Sequence, residues 1–288
     1  MTTPREGAGR RRRPADQLFP GARGVGYVVA LGCCALTVLP LLYMVSLSLQ
    51  SNADLFAGDP VLWPSPMHFG NFVELFQRVP FGRFFVNSLL MAGLITLSHL
   101  VFDPIAGYAF AKFQFPFRRT LFVVVLSTLM IPFFVRMIPV YVVFSQLGWL
   151  DSYQGLIVPF LCDAYGIFLM RQFIAPLPDE LIDAARVDGA GEFRIFARII
   201  LPQAKPALAV LGLFTFVFQW NNFLWPLIAT SSTEMRTMPV GLTLFNQEYF
   251  TQWNLTAAGS VVLFVPTAVL FFFTQRYLVR GIALTGLK

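Results

Sequence analysis

Apolar residues run along this chain in long blocks separated by short polar connections. A helix needs roughly 20 predominantly apolar residues to cross a bilayer. Six blocks reach that length, at about 25–49, 84–108, 120–147, 155–175, 206–230 and 256–278. The pattern predicts an all-α membrane protein with six transmembrane helices. The third block contains Pro132 and Pro139, which predicts a kink or a tilt, and polar residues interrupt both the third and the fifth. The connection at 50–83, with Pro60, Trp63, Pro64, Pro66 and His68, is too short for a domain of its own. The first block follows Arg10–Arg13 as a secretory signal would. It is longer than the 7–15 residues of a signal core, and no small-residue cleavage site follows, so an uncleaved span is expected.

One connection is unlike the others. Asp183 to Pro206 reads DAARVDGAGEFRIFARIILPQAKP, a charged, glycine-containing segment between two apolar blocks. Pro178 suits a helix start, and Asp179 and Glu180 oppose the positive end of the helix dipole. Leu181, Ala184, Ala185 and Asp188 then share one face built mostly of small side chains. Gly189 fits a left-handed cap. A second short helix is expected from Gly191, with Phe193, Phe196, Ala197 and Ile200 on one face and Arg194 and Arg198 on the other. Two readings stand on these residues alone. The small face docks a partner protein, or the segment rests on lipid headgroups. Four acidic residues in the first helix (Asp179, Glu180, Asp183, Asp188) favour docking.

Composition agrees with the block pattern. The 288 residues are 56% hydrophobic and 12% charged, half the charged fraction of about 25% typical of soluble domains. Cys33, Cys34 and Cys162 form no disulfide framework, and no metal-ligand spacing or activated-nucleophile motif is present, which argues against a membrane-bound enzyme. The net charge of +6 is explained by its distribution. One set of connections collects Arg5, Arg10–Arg13, Arg23, Lys112, Arg118, Arg119, Arg171, Arg186, Arg194, Arg198, Lys205, Arg276, Arg280 and Lys288, seventeen in all, whereas the other holds only Arg78, Arg83 and Arg236. Cytoplasmic connections carry the excess of Lys and Arg. Both termini and the 183–206 segment are therefore expected in the cytoplasm, and a nucleic-acid partner is not.

A phosphate-binding loop needs Gly-Lys followed by Ser or Thr. Lys112 and Lys205 precede Phe113 and Pro206, and Lys288 is the last residue, so the chain carries no such loop. No cofactor is expected on it.

Ionisable residues within spans are candidates for function. Arg136 in the third span and Asp163 in the fourth lie at depths that differ by only a few ångströms, at about 1.5 Å per residue. They form an interhelical ion pair, or they line a solute path. Gln219, Asn221 and Asn222, flanked by Trp220 and Trp225, offer amides beside aromatic surfaces, which suits sugar hydroxyls. Their alternative is an interfacial belt with amides joining helices. His99 and Asp103 read as structural, with Lys112 or Arg118 neutralising the aspartate. A rival class, the ion-driven secondary transporter, favours an intramembrane relay of carboxylates and two repeated halves; neither is evident.

The segment from Asp183 resembles the EAA loop of ABC-importer permeases. Asp183-Ala184-Ala185, Asp188-Gly189-Ala190 and Leu201-Pro202 match its pattern, with Asp183 in place of the usual glutamate. NSLL at Asn87, GYAFAKFQFP at Gly107, LGWLDSYQGLIVPF at Leu147, WNNFLWPL at Trp220 and QRYLVRG at Gln275 are similar to the shorter permease of maltose-type sugar importers; Phe117 stands where glycine is common. The resemblance implies the type I importer permease fold, a prokaryotic plasma-membrane location and a role in sugar uptake. It also implies partners: a second homologous permease, two cytoplasmic ATPases and an extracytoplasmic solute-binding protein. In this reading residues 1–24 form a basic tail and 25–288 the permease domain. Its loop at 176–205 holds a coupling helix seated on an ATPase.

The charge partition predicts that a single cysteine at Gln114 or Glu192 is shielded from an impermeant thiol reagent in intact cells, whereas one at Pro64 or Glu234 reacts. Labelling of Glu192→Cys from outside would reverse the orientation.

Overall fold

The computed structural model describes residues 22–57, 61–245 and 251–285. The basic tail up to residue 21, Pro60 and Lys288 lie outside the described residues, as do the side chains of Arg23 and Arg280. Four helical stretches are long and apolar enough to cross a membrane: Gly24–Ser48, Phe81–Lys112, Tyr153–Ile174 and Trp253–Tyr277. Two bent pairs, Arg118–Met130 with Phe133–Gln146 and Glu192–Gln203 with Lys205–Trp220, bring the possible spans to six. They are called the first to sixth spans in chain order.

The second span, Phe81–Lys112, packs against both the fourth and the fifth, while the sixth packs against the first and the fifth. Gly107 marks one close approach between the second and fourth spans. A β-carbon there would stand 2.7 Å from Met170 Cβ and 2.9 Å from the Arg171 nitrogen, so only glycine lets the helices meet at this point. Gly166 serves the same contact from the opposing helix, where a β-carbon would collide with the Asp103 carboxylate.

Three of the predicted spans are broken. The third bends by 98°, far beyond a kink. Ile131, before Pro132, is pushed into an extended conformation (φ −92°, ψ 108°), as proline demands of its predecessor. Pro139, in contrast, stays inside the helix Phe133–Gln146. The fifth span ends at Trp220 rather than near 230; Leu224–Ala229 is a separate short helix. In the fourth, helix Tyr153–Ile157 passes through a 3₁₀ turn at Val158–Phe160 before the chain resumes as Ala164–Ile174.

Backbone freed by the fourth-span break finds partners on the second span. Ser98 Oγ donates to Leu161 O at 2.8 Å, and His99 Nε2 lies 2.8 Å from Phe160 O. His99 Nδ1 faces Asp103 Oδ2 at 2.6 Å, with both side chains buried. A neutral imidazole has one donor nitrogen. Both contacts are hydrogen bonds only when the pair holds one proton beyond neutral histidine and ionised aspartate, which leaves it electrically neutral. The expected neutralisation by Lys112 or Arg118 is not observed. Lys112 Nζ reaches Asp179 Oδ1 at 2.6 Å, and Arg118 Nη1 donates to Phe113 O at 2.8 Å.

At the other end, Asn87 Nδ2 donates to Glu234 O and Arg236 O at 2.7 and 2.8 Å, and Ser88 Oγ accepts from Met238 N. Asp151 Oδ1 accepts from Ser231 N, Ser232 N and Ser232 Oγ, each at 3.0 Å. Burial raises the Asp151 carboxyl, but these donors prevail and hold it below its ordinary value.

This packing generates a stability ranking. Gly107→Ala is expected to destabilise by about 1–3 kcal/mol through overpacking. Gly93→Ala in the same helix, where nothing lies within 4 Å, should be neutral or stabilising by up to about 1 kcal/mol. His99→Ala strips partners from the buried Asp103 carboxyl, at about 1–3 kcal/mol, and from the part-buried Phe160 carbonyl. Thermal-shift measurements on the purified protein should therefore rank wild type and Gly93→Ala above both other variants.

Candidate functional site

The broken ends of the third, fourth and fifth spans surround one cavity of about 700 Å³. All five intramembrane candidates line it: Arg136, Asp163, Gln219, Asn221 and Asn222. Each arrives there for a local reason. Arg136 sits on the first turn after the Pro132 bend. Asp163 is the N-cap of Ala164–Ile174, its Oδ1 accepting from Gly166 N at 3.0 Å. The three amides close the fifth span where Trp220 ends it. Asn221 Nδ2 donates to Val217 O at 2.8 Å, and Asn222 Nδ2 to Gln219 Oε1 at 3.2 Å. Gln219 Nε2 and the amide oxygens of both asparagines have no partner among the described residues, so they remain available to a solute.

The Arg136–Asp163 ion pair is absent: no carboxylate among the described residues lies within 4.0 Å of Arg136. One oxygen of Asp163 is engaged instead at its own helix N-terminus. The tryptophans are also differently placed from expectation. Trp220 is fully buried, stacked on Phe216 at 5.6 Å and donating to Leu263 O. Trp225 is equally buried and donates to Gly155 O. The aromatic walls of the cavity come instead from Phe133, Phe134, Phe160, Phe218 and Phe223. A second hollow of about 370 Å³ shares Asp163, Phe218 and Gln219 with the first and adds His99, Tyr165 and Thr215. Tyr165 and Thr215 carry no motif in the sequence; the N-cap pattern at Asp163 is the one signal near them.

The loop at 176–205 is built by capping. Helix Asp179–Val187 ends with Gly189 at φ +78°. Gly189 N donates to Arg186 O at 3.0 Å and Ala190 N to Ala185 O at 2.9 Å, the two bonds of a Schellman motif. Ala185 and Ala190 both pack against the buried cluster that holds Ile182, Ile195 and Ile200, which supplies the motif's apolar contact. The spacing of Ala185, Gly189 and Ala190 is thus a folding requirement. Of the four residues predicted to share one face, Leu181, Ala184 and Asp188 are exposed, whereas Ala185 turns onto the buried cluster; Val187 at 88% and Phe193 at 80% join the exposed side.

The second helix departs from its predicted face. Phe193 points outward, and Ile195, Phe196 and Ile200 are buried. Pro202 has no N–H to give to Arg198 O, and the preceding turn widens to a π-helix over Phe196–Ile200, with Leu201 N donating to Phe196 O. That extra residue shifts the buried side. Asp183 is also less free than its sequence suggested. Arg186 bonds Asp183 Oδ1 at 3.1 Å and Glu192 Oε1 at 2.8 Å, and the Arg186 bond holds the Glu192 carboxyl below its ordinary value. Asp179 is taken by Lys112, so Glu180 and Asp188 are the acids of this helix without an ion pair among the described residues.

Similarity to known proteins agrees with this architecture. Residues 104–284 match the family of binding-protein-dependent transport system inner membrane components. The arabinooligosaccharides transport system permease protein of Halalkalibacterium halodurans is 35% identical over 256 residues, 88% of this chain and 92% of that one. The sn-glycerol-3-phosphate transport system permease protein of Yersinia pestis is 38% identical over 235 residues, 81% and 83% of the two chains. A chain from a bacterial ABC transporter involved in the import of the acidic polysaccharide alginate has a TM-score of 0.78 at 25% identity, covering 96% of this chain and 99% of its own. The inward-facing methionine transporter MetNI shares the fold, with a TM-score of 0.53 at 18% identity, covering 68% and 93%. This chain belongs to the family of binding-protein-dependent transport system inner membrane components, as an all-α integral-membrane permease subunit of an ABC importer.

Proposed function

We propose that the 700 Å³ cavity is this subunit's share of the path for a sugar or sugar-like solute. The convergence of Arg136, Asp163, Gln219, Asn221 and Asn222 on that single space carries the reading. A cation, a carboxylate and unpaired amide groups offer donors and acceptors to hydroxyls, and the phenyl rings offer the apolar faces that sugar C–H groups require. Relatives named for arabinooligosaccharides and sn-glycerol-3-phosphate support a hydroxyl-rich solute. Both termini and the 176–205 loop face the cytoplasm in this proposal, as the charge partition favours.

A second permease completes the path, and an extracytoplasmic binding protein delivers the solute. Two separate ATPases, which hold the ATP and magnesium, engage the loop. Its helix offers a partner Leu181, Ala184, Val187 and Asp188, beside Phe193 of the following turn. Gly189 sets the direction in which the chain leaves that helix.

The two halves of the proposal are tested separately. Gln219→Ala, Asn222→Ala and Arg136→Met break no ion pair, so they should reach normal abundance while lowering uptake or raising the solute concentration for half-maximal uptake. Unchanged uptake kinetics in all three would remove the cavity from the path. For the loop, a β-carbon at Gly189 meets nothing within 4 Å, but a β-branched residue there must adopt a left-handed backbone, at more than about 1–2 kcal/mol. Gly189→Val should insert normally yet lose uptake, solute-stimulated ATP hydrolysis and co-purifying ATPase. Gly189→Asn, which tolerates that conformation, should retain most of all three. Full coupling in Gly189→Val would reduce the segment to a surface loop.

A further inference from the structure

A second polar hollow lies apart from the solute cavity, where the second span turns into the third. Its volume is about 510 Å³, and three arginines line it: Arg118, Arg119 and Arg171. No acidic residue lines it, and neither Arg119 nor Arg171 has a carboxylate within 4.0 Å among the described residues. The arginine positions are built rather than loose. Arg118 is anchored through one nitrogen to Phe113 O. The Arg171 guanidinium lies 4.4 Å from the centre of the Phe122 ring, and Phe122 in turn packs on Phe110. A guanidinium held over a ring in this way keeps its N–H donors for hydrogen bonding to an anion.

The placement is electrostatically costly for the protein alone. Arg118 and Arg119 occupy the first turn of Arg118–Ser127, where no acidic residue offsets them and where the helix dipole disfavours cations. A doubly or singly charged phosphate bound among the three guanidinia removes that repulsion and matches arginine's bidentate geometry. The rest of the ligand is indicated by the helix that the arginines open. Helix Arg118–Ser127 buries no residue; Leu121, Val123 and Val124 are 47–57% exposed, and Phe117 beside the hollow is 78% exposed. An anion site at one end of an uncovered apolar helix has the pattern of an amphiphile, with a charged head and hydrocarbon tail.

We propose that Arg118, Arg119 and Arg171 bind the phosphate of an anionic phospholipid whose acyl chains lie along the uncovered face of the third span. Basic hollows between membrane helices are a recurrent form of headgroup site. This inference concerns lipid and stands independently of the solute reading.

The test uses the complete importer, purified with its partner subunits in detergent and exposed to phosphatidylglycerol, phosphatidylcholine or inorganic phosphate, with retained lipid measured by native mass spectrometry. Wild type should retain phosphatidylglycerol in preference to phosphatidylcholine. The Arg119→Gln, Arg171→Gln double variant should bind phosphatidylglycerol about 30-fold more weakly, at about five-fold per arginine, with phosphatidylcholine unchanged. Millimolar inorganic phosphate should not displace the lipid. Equal retention of the two lipids by wild type overturns the proposal without any variant. Displacement by phosphate would reassign the hollow to a soluble anion, and burial of these arginines under another subunit, seen as protection of Arg119→Cys from thiol reagents in the complex alone, would reassign it to a protein contact. If the double variant fails to assemble, the salt dependence of phosphatidylglycerol retention by wild type decides: insensitivity to ionic strength overturns the phosphate contact.

Discussion

Every backbone polar group inside a bilayer must find its partner within the protein, because the hydrocarbon offers none. A membrane chain made of unbroken helices meets this requirement automatically. This chain does not take that course. Three of its six spans are interrupted, and each interruption leaves helix ends that must be satisfied by side chains. Asp163 caps one such end, His99 and Ser98 serve two freed carbonyls of the same break, and Asn221 bonds the Val217 carbonyl where the fifth span ends. Asp163, His99, Ser98 and Asn221 are where the backbone accounting requires polar side chains.

The same accounting explains why these residues converge. Breaks in neighbouring spans stand side by side, and a broken helix fills less space than a continuous one. The hollow and its polar lining therefore have a common origin. Asp163 illustrates the double use: one carboxylate oxygen holds the helix N-terminus and the side chain still borders the cavity. Arg136 differs, since no capping task accounts for it. A cation at that depth without an ion pair among the described residues is costly, and a solute group, as proposed, or a partner subunit would compensate it.

Much of this was legible in the chain. Block lengths marked the spans, and the Asp183–Pro202 segment showed its left-handed cap at Gly189 before any coordinates, although Ala185 of its small-residue face packs inward. The misreadings share one cause. Periodicity reports which residues are apolar, but it assumes a regular helix. Pro132 turned a kink into a 98° bend, and Pro202 widened a turn so that Ile195 replaced Phe193 in the core. Trp220 and Trp225 looked like solute-facing rings because they flank amides, yet each N–H had a buried carbonyl to reach. Asp103 found its partner one helical turn away in His99, a pairing that counting lysines and arginines passed over. Pairings of this kind depend on which atoms are left unsatisfied, and that is decided only once the breaks are placed.

The loop shows how little freedom the recognisable motif has. Ala185 must be small because it packs under the Schellman turn, and Ala190 must follow Gly189 to bond back to it. Ile182, Ile195 and Ile200 then bind the two short helices to the end of the second and fourth spans through Tyr108, Met170 and Ile174. Tyr108 adds a polar link, its hydroxyl donating to Glu192 Oε2 at 3.1 Å, while Glu192 is also held by Arg186. The loop is therefore continuous with the packed core of the spans and does not hang from them. A displacement of its outer face has a stiff route inward through the second span, whose other contacts hold the broken fourth span beside the cavity. In the proposed function, the packing along that route, from exposed Leu181 and Val187 to Asp163, would carry an event at the loop to the space around a solute.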